Sequence, residues 1–231
     1  MGGSYKYTPT DGYTGKDSFT YQVYDEYGNY SDTAKVSVTV EKNSSGVYYC
    51  DMTDSWAHNA AITLAEKGIM TGESIGDNML FGPDYRVSRA EFLAMAMDVC
   101  KVEVDKTLTR TDFKDNDEIP EHLVSYVATA KKLGYITGTE TEQGVFFYPN
   151  QTITRAEAAV ILGKLLDIKV SGTVSVFNDD SSIPAWAQES IYALSSNGIL
   201  SGTGMGYASP FTEVTRDQAA TMLCAVLSYE K

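Results

Sequence analysis

Two hydrophobic periodicities divide this chain. In Ser18-Phe19-Thr20-Tyr21-Gln22-Val23-Tyr24 and in Ala34-Lys35-Val36-Ser37-Val38-Thr39-Val40 apolar and polar residues alternate. Period two is the signature of strands with one half-buried face. Asp25-Glu26-Tyr27-Gly28-Asn29 between them supplies turn residues. Three or so strands bury too little surface to form a sandwich alone. Residues 1–42 are therefore predicted to be a β fragment that docks on the rest, pairs with another chain through an exposed strand edge, or is partly mobile. Residues 43–46 read as a linker. From Val47 onward apolar residues recur at helical spacing, as in Ala61, Leu64 and Ala65, or Phe92, Met95, Ala96 and Val99, or Ala159, Leu162 and Leu166.

The helical part repeats. Ser88-Arg89-Ala90-Glu91 returns as Thr154-Arg155-Ala156-Glu157 and as Thr215-Arg216-Asp217-Gln218, with arginine spacings of 66 and 61 residues. A proline lies six residues before each arginine: Pro83, Pro149 and Pro210. Further upstream stand Gly68-Ile69-Met70-Thr71-Gly72, Gly134-Tyr135-Ile136-Thr137-Gly138 and Gly198-Ile199-Leu200-Ser201-Gly202, and before those Trp56, His122 and Trp186. Each unit opens on an aromatic-x-Asp word ending in Asp51, Asp115 or Asp179. Such a period means stacked supersecondary units, none of which buries its own face alone. Each unit reads helix–loop–helix, with first helices near 56–67, 121–133 and 185–197 and second helices near 89–100, 155–167 and 216–228. Gly68, Gly134 and Gly198 fit left-handed C-caps. The Ser/Thr-x-x-Glu/Gln words predict a capping box at all three second helices. Units are expected at 47–105, 106–170 and 171–231.

Charge narrows the partners. The formal net charge is −13, which argues against nucleic acid, and no apolar run reaches the roughly 20 residues that span a bilayer, so no membrane insertion is expected. The opening Met1-Gly2-Gly3 is followed by polar sequence rather than an apolar signal core. Cys50, Cys100 and Cys224 are an odd set without metal spacing, and His58 and His122 are the only histidines, so no metal site and no cofactor are predicted. The acidic runs around Asp112–Glu118 and Asp179-Asp180 read as solvated loops rather than calcium sites. No isolated carboxylate pair or nucleophile–base set suggests catalysis, because the acids repeat with the units.

The recurring arginines are the sharpest candidates. A cap needs no arginine in a helix's first turn, and the dipole there disfavours a cation. A guanidinium beside helix N–H groups would suit a carboxylate; a structural ion pair, for example to Asp51, Asp115 or Asp179, is the alternative. Trp56 and Trp186 could stack on a sugar ring or pack in the core. Gly72, Gly138 and Gly202 suit either a close ligand approach or a tight turn. Asp51, Asp115 and Asp179 suit either sugar hydroxyls or capping of the first helix.

These words, in this order and spacing, resemble the S-layer homology (SLH) repeat of bacterial surface proteins over about 47–231. Tyr13-Thr14-Gly15-Lys16-Asp17-Ser18-Phe19-Thr20-Tyr21 and Asp25-Glu26-Tyr27-Gly28 resemble the end of a bacterial cadherin-like or Ig-like repeat. The resemblance implies a mainly α pseudo-three-fold trimer of repeats around a central helical bundle, with a short N-terminal β segment. It implies an extracellular, non-enzymatic module that anchors a surface protein to wall glycan. The implied ligand is a secondary cell-wall polysaccharide, often bearing a pyruvate ketal, or peptidoglycan, held in grooves between repeats. A purely structural lattice module and the targeting part of a larger wall-active enzyme are the competing readings. Two departures stand out: His122-Leu123 replaces Trp-Ala in repeat two, and Asp217-Gln218 and Ala208 replace Ala-Glu and Phe in repeat three. The three grooves are therefore expected to be unequal.

Overall fold

A computed structural model describes residues 7–8, 15–25, 27–40, 46–53, 55–172 and 177–229. The chain divides into two compact units, Met1–Gly46 and Val47–Lys231. In the first, β1 (Gly15–Tyr21) and β2 (Ala34–Val40) pair antiparallel from Gly15 opposite Val40 to Tyr21 opposite Ala34. Ala34, Val36, Val38 and Val40 share the half-buried face of β2, as the alternation requires. Asp25 closes the connection by accepting from the Tyr27 and Asn29 amides. Of the linker reading at 43–46, all but Gly46 lies outside the described residues.

The second unit is mainly helical. Its first helices are α1 (His58–Glu66), α3 (Val124–Lys132) and α5 (Ala185–Ser196); its second helices are α2 (Arg89–Val99), α4 (Arg155–Leu166) and α6 (Arg216–Ser228). Gly68, Gly134 and Gly198 follow the first helices with φ of 67°, 79° and 73°, the left-handed stop that a Cβ would penalise. Each loop then does something the periodicity does not announce. In repeats one and two it folds into a hairpin, β3 (Glu73–Ile75) with β4 (Asn78–Leu80) and β5 (Thr139–Thr141) with β6 (Gly144–Phe146). In repeat three a 3-10 turn at Gly204–Gly206 and a Thr203–Tyr207 bridge take its place. Strands of three residues are too short to show a period.

Burial separates the two helix classes. The second helices are buried around most of their surface, α4 through Ala156, Ala158, Ala159, Ile161, Leu162, Leu165 and Leu166. The first helices bury a narrower stripe, such as Ala61, Ile62 and Leu64 on α1. Accordingly α2 packs on α4 and on α6, while α3 lies on α2, α5 on α4 and α1 on α6. Each first helix thus covers the second helix of the preceding repeat, and repeat one covers repeat three.

The extended residues before the second helices close on one another. Val87 N–H donates to Val214 O (3.1 Å), Val214 N–H to Ile153 O (2.9 Å) and Ile153 N–H to Val87 O (3.0 Å). All three side chains are buried, so these bonds satisfy backbone groups that water cannot reach.

One reading is corrected here. The capping box forms at Ser88/Glu91 and Thr154/Glu157 but not at Thr215. Asp217 intervenes, taking the Thr215 hydroxyl and the Gln218 amide on its own Oδ1. Cys100 and Cys224 are half-buried and Cys50 is exposed, and none of the three is in a disulfide.

Candidate functional site

The arginines lie at the seams between repeats. Arg89 Nε donates to Phe147 O at 2.9 Å, and its Nη1 pairs with Glu157 of repeat two at 2.7 Å. Arg155 Nε donates to Ala208 O (2.9 Å) and its Nη2 to Ser201 O (2.8 Å) of repeat three. Arg216 Nε donates to Phe81 O (2.8 Å) and its Nη2 to Thr71 O (2.7 Å) of repeat one. Each guanidinium therefore staples its repeat to the next by grasping backbone carbonyls. Phe147 and Phe81 also lie beneath Arg89 and Arg216, with ring centres 5.4 and 4.7 Å from the guanidinium carbon.

This geometry corrects the picture of a bare helix N-terminus. The Arg89 and Ala90 amides donate to Gln151 O and Pro149 O, those of Arg155 and Ala156 to Thr212 O and Pro210 O, and those of Arg216 and Asp217 to Tyr85 O and Pro83 O. The N–H groups that an anion would need are already used by the neighbouring repeat. The repeated prolines thus mark the loops that cap the neighbours' helices. An arginine-to-alanine series is also expected to lower stability, not binding alone.

Asp51, Asp115 and Asp179 do not cap the first helices. Their carboxylates accept backbone amides across the loop: Phe81 and Gly82 at 2.9 and 2.7 Å for Asp51, Phe147 and Tyr148 at 2.9 and 2.6 Å for Asp115, Ala208 and Ser209 at 2.7 and 2.8 Å for Asp179. Gly82, Tyr148 and Ser209 all adopt positive φ there, so the carboxylate holds a turn that a non-glycine residue resists. The aromatic of the same word packs inside: Tyr49 against Phe81, and Phe113 against Phe147.

The tryptophans are not core residues. Trp56 is 65% exposed and Trp186 58%. Trp56 sits on a cavity of about 490 Å³ with Arg155, the segment from Gly198 to Gly204, and Gln218, Thr221, Met222 and Ala225 of α6. Residues from all three repeats meet there. A second cavity, about 630 Å³, has His122 in the corresponding place, with Arg216, Thr71, Glu73, Glu91, Asp98 and Tyr126. Thr221 and Asp98 escaped the sequence reading, and Gln218, read there only as a cap residue and a departure from the glutamate two residues after the other arginines, was not read as lining a groove.

The S-layer homology domain profile matches residues 50–93, 112–159 and 176–220, more than half of the chain. The chain belongs to the S-layer homology family. A bacterial Ig domain profile matches residues 1–39, partial cover consistent with the single described hairpin. The chain is 30% identical over 172 residues to the S-layer protein of Bacillus thuringiensis subsp. finitimus and likewise to the S-layer protein sap of Bacillus anthracis, covering 74% of this chain and 20% of each relative. It is 28% identical over 208 residues to the exoglucanase XynX of Acetivibrio thermocellus, covering 87% of this chain and 18% of that one. It therefore spans about a fifth of these relatives' lengths. SLH membership places the chain at the bacterial cell surface, with its SLH region a non-catalytic module for non-covalent wall anchoring.

Two SLH positions yield immediate expectations. A Cβ at Gly72 would lie 2.3 Å from Leu80 O and from the Tyr49 ring, and one at Gly138 2.5 Å from the Phe113 ring. The close approach at both glycines is to the protein itself, and at Gly202 it is the milder 3.2 Å to Gly206. Gly72→Ala is expected to cost about 1–3 kcal/mol by overpacking, read from urea unfolding; a midpoint equal to wild type would contradict this.

In the second cavity, burial pushes the Asp98 carboxyl above its usual range, while the Tyr126 hydroxyl that it accepts from pulls it down. The folded state then binds this proton more tightly than the unfolded state does. Its contribution is present below the ordinary carboxylate value and is lost as pH rises through the folded one. Asp98→Asn is expected to gain thermal stability relative to wild type between about pH 3 and about pH 7. A pH-independent difference in Tm would count against it.

Proposed function

We propose that the three SLH repeats form a pseudo-three-fold assembly whose inter-repeat grooves bind a secondary cell-wall polysaccharide. The closed set of bonds among Val87, Val214 and Ile153 supports the symmetry. The observation that carries the binding is the exposed Trp56 beside a cavity whose wall includes Arg155. An indole face offers a flat apolar surface to sugar C–H bonds. The guanidinium has five N–H donors, of which Arg155 commits two to carbonyls, leaving donors for a ligand carboxylate such as a pyruvate ketal. Trp186 and Arg89, and Arg216 in the second cavity, occupy the corresponding places in the other grooves. Asp51, Asp115, Asp179, Gly72, Gly138 and Gly202 act by positioning the loops that shape these grooves.

The test is co-sedimentation with wall sacculi before and after acid extraction of their polysaccharide. Wild type is expected to pellet with intact sacculi and stay soluble with extracted ones. Trp56→Ala, at an exposed site, is expected to keep the fold and lose at least about tenfold in binding, near the value of one stacked aromatic contact. Binding that survives extraction would redirect the proposal to peptidoglycan, and undiminished binding by Trp56→Ala would remove the platform.

A further inference from the structure

The three seams share a plan, and one of them breaks it in charge. Arg89 of repeat one meets Glu157, the residue two after the arginine of repeat two. Arg216 of repeat three faces the equivalent Glu91 across the second cavity, whose wall also holds Glu73 and Asp98. Arg155 of repeat two should meet the same residue in repeat three, but that residue is Gln218. Among the described residues no carboxylate lies within ion-pair distance of Arg155. Its nearest acidic influence is Asp179, whose two oxygens already accept the Ala208 and Ser209 amides. Ala208, standing where the other seams have Phe81 or Phe147, also leaves Arg155 without the ring that lies beneath Arg89 and Arg216.

Arg155 is 5% exposed, and a buried charge without a counter-charge is costly. The cavity it lines contains no Asp or Glu. In the same wall Gln218 Oε1 is buried with no hydrogen-bond partner. An unmatched cation and an unused acceptor thus face one acid-free cavity in a chain of net charge −13.

We infer that Gln218 is the specificity-determining residue of this groove: by leaving Arg155 unpaired it makes the Trp56 cavity the anion-accepting one, for a carboxylate-bearing sugar. In the other two seams Glu157 pairs with Arg89, and Glu91 shares a cavity wall with Arg216 and acts on it electrostatically. The ligand carboxylate takes the place that the glutamate holds against Arg89, a sugar hydroxyl donates to Gln218 Oε1, and the ring lies on Trp56. This rests on the wall-glycan reading above and adds to it the choice of groove and of charge.

The decisive variant is Gln218→Glu, which installs the residue that repeats one and two already carry, so the fold is expected to hold and the Tm to stay level or rise. Its binding should be compared with wild type on immobilised polysaccharide released by acid from Gram-positive wall sacculi, used native and after reduction of its carboxylates to alcohols. Wild type is expected to bind the native polymer at least tenfold more tightly than the reduced one. Gln218→Glu is expected to fall at least tenfold on the native polymer and to match wild type on the reduced one. Unchanged binding by Gln218→Glu would overturn the groove assignment while leaving wall anchoring intact. Equal binding of wild type to both polymers would overturn the carboxylate. Failure of wild type on both polymers and on whole sacculi would remove the anchoring reading, and this proposal with it.

Discussion

Asp115→Ala is expected to lower the unfolding free energy by about 3–5 kcal/mol, the range for removing one side of a buried charged interaction. Asp115 is 4% exposed, and its carboxylate is the partner of the Phe147 and Tyr148 amides. Truncation strands two donors beneath the packed Phe113 and Phe147 rings. It also removes the bond that holds the Tyr148 amide where φ is 58°. For a unit of this size each kcal/mol shifts Tm by about 2–4 °C, so a fall of about 10 °C in a thermal melt is expected. Asp51 is exposed and Asp179 half-buried, so the same change there should cost less, in the order Asp115, Asp179, Asp51. Equal effects at the three positions would show that burial is not what sets the cost.

Arg155→Ala is expected to cost about 3 kcal/mol and to abolish wall binding together. The stability loss comes from two charge-assisted bonds to carbonyls, each worth about 1.5–3 kcal/mol and not fully additive. Arg155→Lys keeps the charge but has no fork with which to reach Ala208 O and Ser201 O at once, so it should recover less than half of the lost stability. Urea unfolding and sacculus binding, measured on the same preparations, separate the two effects. A fully stable Arg155→Ala protein would mean that the seam is held by its apolar contacts and backbone bonds without the guanidinium.

Much of this was legible before any coordinates. The six long helices follow from apolar spacing plus local stop and start signals, and both kinds of signal act within a few residues of where they are written. The capping box at Thr215 failed because Asp217, a residue earlier than the expected Gln218, competes for the same hydroxyl. The roles of the arginines and aspartates were harder to read, because each acts on backbone groups roughly 30 to 140 residues away in sequence. A backbone carbonyl carries no residue-specific mark. The repeat pattern could reveal that these positions matter, but not that their partners are main-chain atoms. The exposure of Trp56 and Trp186 was equally out of reach, since an aromatic at the start of an amphipathic helix suits either the core or the rim.

The bond from Val87 to Val214, and those from Arg216 to Tyr85 and Thr71, join the first repeat to the last. Until the final stretch of chain exists, Tyr85 and Thr71 have no cation or amide to accept from, and α1 has no α6 to lie against. The first repeat therefore completes this seam only once the third is present, a closure of higher sequence separation, and so of greater loop entropy, than either seam between neighbouring repeats.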